Sequence, residues 1–273
     1  MLYLIGLGLA DETDVTVRGL EVIKKCHKVY LENYTSILHC GVERLQEYYG
    51  RTDLIVADRN MVELGCKAIL EEAKSEDVAF LVVGDPFGAT THSDLRLRAK
   101  RMGVEVQVVH NASIMNAVAA CGLQLYRFGQ TVSFCFWTER WRPDSYYQKI
   151  MENKRMGLHT LCLLDIKVKE PSEENLLKGR SNVFEPPRYM TVNEALGQLL
   201  EIHQNRIKEG QEGCTGGDDF CVGLARVGAA DQVIKFGRIQ ELVDFDFGAP
   251  LHCLVIPADL HDMEREVLEE IFA

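Results

Sequence analysis

The first 110 residues alternate between short apolar runs and amphipathic stretches of helical length, and this alternation restricts the fold more than any other feature. The predicted strands are Leu2–Leu7, Lys28–Glu32, Leu54–Ala57, Val78–Val83 and Glu105–Val109, and the predicted helices are Val15–Cys26, Ile37–Tyr49, Met61–Lys74 and Asp94–Met102. Continuous apolar strands joined by helices are typical of a parallel sheet that is covered on both faces. We therefore predict an N-terminal α/β domain over residues 1–110 with a mostly parallel sheet.

The pattern changes after residue 110, where predicted strands follow one another more closely. The strands are Thr131–Trp137, Thr160–Val168, Phe220–Val227, Val233–Phe236 and His252–Ile256, and the helices are Asn111–Cys121, Tyr146–Arg155, Val192–Lys208 and Asp262–Ile271. Strands in succession favour a mixed sheet. We predict a C-terminal α/β domain over residues 111–273, with the long polar segment between Lys169 and Met190 as a surface excursion.

The composition excludes several classes of protein. A net charge of −11 argues against binding to nucleic acid or to an anionic membrane, because phosphate groups repel such a surface. Nine cysteines are scattered without a CxxC pair, which favours buried free thiols in a reducing compartment over a zinc site or disulfides. No apolar run approaches the ~20 residues that span a bilayer. We expect a soluble cytoplasmic protein without a metal ion.

The loop after the first strand, Gly6–Asp11, begins like the dinucleotide fingerprint G-x-G-x-x-G. Asp11 stands in place of the third glycine, where a carboxylate repels a pyrophosphate. The segment is a candidate ligand-binding loop, and two other interpretations of it remain open. It is a plain tight turn, or it belongs to a nicotinamide dinucleotide-binding dehydrogenase in which Glu32 binds the ribose.

Two further loops leave the fourth and fifth predicted strands, at the strand ends where parallel sheets bind ligands. In Gly84–His92, glycines flank Asp85-Pro86 and allow a ligand to approach the backbone. In Asn111–Asn116, small side chains expose backbone N–H groups at a helix start. Each loop also has a simpler interpretation, as a turn followed by an N-cap.

Six segments in chain order resemble the diphthine synthases, which are tetrapyrrole methylase-like methyltransferases. They are LIGLGL (4–9), VGDPFGATTH (83–92), HNASIMNA (110–117), FWT (136–138), LCLLDIK (161–167) and GLARVG (223–228). The resemblance covers essentially the whole chain. It implies two α/β domains with S-adenosylmethionine bound between them. A tetrapyrrole substrate is not expected, because porphyrin-modifying members carry a proline and a further glycine where this chain has Leu9-Ala10.

The resemblance also implies a substrate, a product and an assembly. The substrate is the modified histidine of translation elongation factor 2, in diphthamide biosynthesis. Likeness to eukaryotic members implies three N-methylations and a carboxyl methyl ester, and N-trimethylation alone is the alternative. Members of the family typically form homodimers.

The residues that correspond to the family's cofactor contacts lie in several loops. They are Leu9, Asp85, Gly88, Ser113, Ile114, Leu164, Ala225 and His252. Methyl transfer from a sulfonium is an in-line displacement, in which the protein chiefly orients the reactants and excludes water. No catalytic residue is assigned, since His92, His110 and Asp165 are each expected to be structural.

Overall fold

The computed structural model describes residues 1–34, 36–63, 65–170 and 183–273 and forms two compact units. Unit 1 comprises Met1–Met115 and Lys167–Pro187, and unit 2 comprises Asn116–Ile166 and Arg188–Ala273. These units assign residues 111–115 and 167–187 to the first unit, whereas the predicted domains divide at residue 110. The domain division stays a prediction. The predicted surface excursion between Lys169 and Met190 falls largely on residues 171–182, outside the described part.

The sheet of unit 1 contains five parallel strands in the order β3-β2-β4-β1-β5. The strands are β1 (Leu2–Gly6), β2 (Lys28–Glu32), β3 (Leu54–Ala57), β4 (Val78–Val82) and β5 (Val106–Val109). Each lies within one residue of its prediction. The described helices of this half are Val17–Lys25, Val42–Tyr49, Arg59–Glu63, Cys66–Glu72 and His92–Arg101, with a 3₁₀ turn at Glu12–Asp14.

Both faces of this sheet are buried, as the apolar strands predict. In β4, Phe80 packs in one hydrophobic cluster with the helices Cys66–Glu72 and His92–Arg101. The next residue, Leu81, packs in a second cluster with the helices Val17–Lys25 and Val42–Tyr49. Alternate strand residues therefore contribute to two cores, one on each face of the sheet. Packing on both faces fixes the strands, whose carboxyl ends lie side by side.

Three helix predictions are wrong at their ends. The stretch Met61–Lys74 forms two helices instead of one, and Gly65 is the N-cap of the second. The predicted helix at Ile37 begins only at Val42, after Gly41 as N-cap. The helix predicted to start at Asp94 with Ser93 as cap begins at His92, with Thr91 at the N-cap position. Two of these helices begin after a glycine N-cap, and the third begins after Thr91. Hydrophobic periodicity does not predict where a helix begins to within a few residues.

Unit 2 contains a mixed sheet, as predicted, and its strands lie in the order β11-β10-β12-β7-β6. Only the β6–β7 pair is parallel in this sheet. The strands of this half are β6 (Val132–Ser133), β7 (Thr160–Leu163), β8 (Ile166–Lys167), β9 (Arg188–Tyr189), β10 (Phe220–Ala225), β11 (Val233–Arg238) and β12 (His252–Ile256). The described helices are Ile114–Ala117, Ser145–Arg155, Val192–Lys208, Ile239–Leu242 and Asp262–Val267, with 3₁₀ turns at Val118–Cys121 and Leu125–Arg127 and a π-helical end at Leu268–Phe272.

Two predicted strands of unit 2 are shorter than expected. The stretch Thr160–Val168 forms β7 and β8, with Leu164 and Asp165 between them. The stretch Thr131–Trp137 keeps only Val132–Ser133 as strand. Beyond that strand, Phe134 N–H donates to Leu163 O at 2.8 Å, whereas Phe136 N–H donates to Asp165 Oδ2 at 3.0 Å.

Within the described residues, no helix combines the length and the apolar character needed to cross a membrane. The same residues hold no cluster of three His, Cys, Asp or Glu side chains arranged for a metal ion. None of the nine cysteines, all of which lie in the described residues, forms a disulfide, and Cys162, Cys221 and Cys253 are buried in the sheet of unit 2.

A buried carboxylate joins the C-terminal helix to the rest of unit 2. Glu264 is 0% exposed and accepts the backbone N–H groups of Gln124 at 2.9 Å and His261 at 2.8 Å. It also contacts Arg127 Nη1 at 2.9 Å and the buried ring of His159 at 3.2 Å. Burial acts to raise the pKa of Glu264, but these hydrogen bonds outweigh it and lower that pKa. The carboxylate therefore stays ionised at neutral pH.

Replacing this carboxylate with an amide should destabilise the fold. In Glu264→Gln the amide N–H₂ faces donors, so we expect the free energy of unfolding to fall by roughly 2–3 kcal/mol. Urea denaturation measures the change. Glu266→Gln is the matched control, since Glu266 is exposed on the same helix and should change stability by less than about 0.5 kcal/mol. Equal stabilities of the two variants would contradict this role of Glu264.

Candidate cofactor site

The three loops singled out in the sequence leave the neighbouring strands β4, β1 and β5 at one edge of the parallel sheet. The first two loops are joined directly. Gly8 N–H donates to Gly84 O at 3.2 Å, and Gly84 N–H donates to Gly8 O at 2.7 Å. This pair of hydrogen bonds extends the contact between β1 and β4 by one isolated antiparallel bridge. The plain-turn interpretation of these loops therefore does not account for their pairing.

Glycine is required where these loops touch. A Cβ on Gly6 would lie 2.6 Å from Gly84 O and 2.8 Å from Asn111 Cβ, closer than side-chain carbons approach in proteins. Gly8 has φ +84°, in the left-handed region that favours glycine. The GxG sequence thus serves close backbone packing between three loops.

The first loop carries its own anion. Asp14 Oδ2 accepts the backbone N–H groups of Leu9 at 3.0 Å and Ala10 at 2.8 Å. Those N–H groups occupy the place where a dinucleotide site would bind phosphate. Leu9 itself is half-buried, so it offers an apolar side chain to a ligand.

The acid required by the dehydrogenase alternative is also unsuited to its role. Glu32 is 1% exposed, and its Oε1 accepts the backbone N–H of Tyr34 at 2.9 Å. A ribose hydroxyl at the sheet edge cannot reach a carboxylate that is sealed in this way. Two separate features of unit 1 thus oppose a dinucleotide.

Asp85 is the most strongly held side chain of the second loop. Its Oδ1 accepts Phe87 N–H at 2.9 Å, and its Oδ2 contacts Asn111 N–H at 3.1 Å and His110 Nδ1 at 2.8 Å. Burial acts to raise the pKa of Asp85, but the two backbone N–H donors and His110 outweigh it and lower that pKa. Asp85 is therefore a fixed negative charge at this edge. A carboxylate has about four lone-pair sites, so acceptor capacity remains for a ligand.

The second and third loops meet at Gly88 and Ser113. A Cβ on Gly88 would lie 2.5 Å from Ser113 Oγ, so only glycine allows this approach. Ser113 is 6% exposed, and Ile114, the first residue of the short helix Ile114–Ala117, is half-buried. Five of the predicted contact residues thus belong to loops that leave adjacent strands of unit 1; they are Leu9, Asp85, Gly88, Ser113 and Ile114.

Asn111 is absent from the predicted contact set, yet it joins two of the loops. Its Nδ2 donates to Gly6 O at 3.0 Å and to Asp14 O at 2.9 Å, and its Oδ1 accepts Ala112 N–H at 2.8 Å. The sequence suggested a helix N-cap, but the helix begins three residues later, at Ile114. The signal that it missed is long-range, since the partners of Asn111 lie about a hundred positions away in the chain.

The other three predicted residues lie together in unit 2. Ala225 at the end of β10 pairs with His252 at the start of β12, and Leu164 directly follows β7, the other neighbour of β12. Ala225 is fully buried, whereas Leu164 and His252 are half-buried. The three residues therefore share one edge of the mixed sheet.

Both ring nitrogens of His252 already have partners. Nδ1 lies 3.4 Å from the N–H of Val192, and Nε2 lies 3.0 Å from Ala249 O and 3.2 Å from Gly248 O. Burial lowers the pKa of His252, so the ring is neutral at physiological pH. A cofactor contact at His252 stays a prediction, and it would involve the ring surface.

The model of the family described as Tetrapyrrole (Corrin/Porphyrin) Methylases matches residues 1–243. The chain belongs to the tetrapyrrole methylase family. It is therefore a methyltransferase, and the dehydrogenase alternative is wrong.

Within that family, the chain is similar to proteins named diphthine methyl ester synthase. It is 59% identical to the human protein of that name over 269 residues, which cover 98% of this chain and 94% of the human one. It is 58% identical to the probable diphthine methyl ester synthase of Arabidopsis thaliana over 274 residues, with 98% and 97% covered. The crystal structure of a protein described as a putative diphthine synthase from Entamoeba histolytica superposes with a TM-score of 0.86 at 52% identity, and the match covers 100% of this chain and 98% of that one. The predicted resemblance and fold are confirmed.

Removing the carboxylate of Asp85 tests the site of this methyltransferase. We expect Asp85→Ala to weaken binding of S-adenosylhomocysteine by ~10-fold or more, because a charge-assisted hydrogen bond contributes ~1.5–3 kcal/mol. Isothermal titration calorimetry measures the affinity. Asp77→Ala is the matched control, since Asp77 precedes the same strand at its opposite end and should leave the affinity unchanged. If the folded Asp85→Ala variant bound S-adenosylhomocysteine with unaltered affinity, the loop Gly84–His92 would be only a turn and not part of the cofactor site.

Proposed function

We propose that the chain methylates the modified histidine of translation elongation factor 2 during diphthamide biosynthesis. The acceptor is the amino-carboxypropyl group on that histidine, and the product carries three N-methyl groups and one carboxyl methyl ester. The observation that carries the proposal is the 57–60% identity, over 98–99% of the chain, to proteins named diphthine methyl ester synthases. N-trimethylation alone is the alternative outcome of the same chemistry.

The proposed methyl donor is S-adenosylmethionine, and the chemistry of the predicted contacts suits it. Asp85 presents a fixed negative charge, which favours a cationic sulfonium ligand over a phosphate. Leu9 and Ile114 offer apolar surface, and Ser113 offers a hydroxyl for the methionine end. In the second unit, Leu164, Ala225 and His252 are proposed as contacts, with an apolar side chain, a buried strand residue and a ring surface respectively.

The proposed mechanism assigns orientation to the protein. When bound, S-adenosylmethionine supplies an electrophilic methyl group on a positively charged sulfur. The Asp85 carboxylate is held by two backbone N–H groups, so it needs no rearrangement when a cation arrives. The loop pairing of Gly8 with Gly84 keeps Leu9 and Asp85 on one rigid edge, which limits the freedom of a bound ligand.

The partner and setting follow the same proposal. We propose a homodimer in the cytoplasm that acts on a protein substrate and binds no nucleic acid or membrane. The net charge of −11 supports a protein partner over a polyanion, since nucleic acid would be repelled.

Mass spectrometry of elongation factor 2 decides between the two product states. Incubation with the chain and S-adenosylmethionine should add four methyl groups to the acceptor, one of which is lost in mild alkali. An ester hydrolyses in base, whereas a quaternary trimethylammonium resists it. The control is an elongation factor with its acceptor histidine replaced, which should gain none.

Two other results of that experiment have distinct meanings. Three alkali-stable methyl groups without a fourth, at saturating cofactor, would reject ester formation and leave N-methylation intact. No methyl group on the unaltered acceptor would reject the proposed function.

A further inference from the structure

Three acid–base groups were expected to be structural, and their geometry separates them. His92 is 1% exposed, and its Nδ1 lies 3.1 Å from Pro86 O, so the ring is sealed beneath the second loop. Asp165 in unit 2 is half-buried and accepts the N–H of Phe136. His110 differs from both, because its side chain is 69% exposed.

His110 is the first residue after β5, at the carboxyl edge of the parallel sheet. Its Nδ1 lies 2.8 Å from Asp85 Oδ2, and its ring lies 6.3 Å from the Phe87 ring, between centroids. The histidine is thus anchored at one nitrogen to the carboxylate of the candidate cofactor site. The rest of the ring is open to solvent.

This anchoring decides which nitrogen carries the proton. The backbone N–H groups of Phe87 and Asn111 keep Asp85 ionised, so Asp85 accepts from His110 Nδ1–H. In the neutral ring the lone pair then lies on Nε2. A carboxylate that fixes the tautomer and stabilises the charged ring is the arrangement by which enzymes orient a histidine base.

The charged groups around His110 are few in the described part of unit 1. Asp85 contacts His110 directly. The Arg96 guanidinium lies 5.8 Å from the centroid of the Phe87 ring, which is also adjacent to the His110 ring. Asp14 is linked to the neighbouring Asn111 through its backbone carbonyl, while its carboxylate binds the first loop. Asp85 is thus the carboxylate in direct contact with His110.

We propose that His110 is the general base that removes a proton from the acceptor amine before each N-methylation. This inference rests on the proposed function. Nε2 takes a proton from the ammonium group, and the resulting imidazolium pairs with Asp85. The nitrogen lone pair then forms the N–C bond while the S–C bond breaks and its electron pair stays on sulfur. The imidazolium returns its proton to solvent, so charge and atoms balance.

The same chemistry predicts that His110 is dispensable for ester formation. The acceptor amine is bonded to the carbon that carries the carboxylate, so it is a protonated ammonium group at pH 7 and is not nucleophilic. A carboxylate is ionised at that pH and needs no base. The N-methylations should therefore depend on His110, and the carboxyl methylation of a trimethylated acceptor should not.

His110→Asn tests this division with little change in geometry, because an asparagine amide replaces the Nδ1–H donor to Asp85 and has no basic nitrogen. We expect single-turnover N-methylation at pH 7 to slow by about 100-fold or more. Raising the pH should restore the rate progressively, since a growing fraction of the amine then loses its proton to water. Ester formation on trimethylated elongation factor 2 and affinity for S-adenosylhomocysteine should change by less than about threefold.

His27→Asn is the matched control, because His27 is exposed and precedes β2 at the opposite edge of the sheet. It should leave both methylations unchanged. Equal losses of N-methylation and ester formation in His110→Asn, or an N-methylation defect that does not shrink as the pH rises, would overturn the proposal and leave His110 as a support for Asp85. An unchanged N-methylation rate at pH 7 would also overturn it.

The unaltered protein separates this proposal from the one on which it rests. Its failure to methylate the acceptor at all would reject the proposed function. If the unaltered protein N-methylates the acceptor but forms no ester, the role of His110 is decided by one measurement, the recovery of N-methylation with rising pH in His110→Asn.

Discussion

Two hydrogen bonds between Gly8 and Gly84 tie the loops that follow β1 and β4, and the rest of the site depends on this pairing. It brings Asp85 beside the third loop, where Asn111 N–H contacts the carboxylate. The Asn111 side chain in turn donates to Gly6 O and Asp14 O, which closes a ring of contacts through all three loops. Each contact needs a small residue or a free backbone group, which accounts for the glycines at positions 6, 8, 84 and 88.

The same pairing separates this site from a dinucleotide fold that opens with a similar GxG. In a dinucleotide site the backbone N–H groups after the glycines bind pyrophosphate. Here Asp14 occupies the N–H groups of Leu9 and Ala10, while the ionised Asp85 stands nearby on the neighbouring loop. Negative charge at this edge suits a cationic donor. The same GxG pattern can therefore belong to a site for an anionic ligand or to a site for a cationic one. The residues that follow the glycines determine which charge the site favours.

The sequence predicted the strands well and the contacts between loops poorly, for physical reasons. Buried parallel strands such as β2 and β3 were predicted to the residue, because continuous apolar runs carry that information locally. The split of Met61–Lys74 falls at a glycine N-cap. Beyond the short strand Val132–Ser133, the Phe136 N–H pairs with a carboxylate about thirty residues away, which a local pattern does not reveal. The contacts of Asn111 and His110 were missed for the same reason, since their partners Gly6, Asp14 and Asp85 are distant in the chain.

We infer that the carboxyl ends of β1, β4 and β5 form the cofactor site of this tetrapyrrole methylase. A crystal structure of the chain with S-adenosylhomocysteine bound tests this inference. We expect ligand density against Leu9, residues 84–88 and residues 111–114, with a ligand atom within hydrogen-bond distance of Asp85. Density for the ligand elsewhere, with these three loops free of it, would show that the site lies at another place.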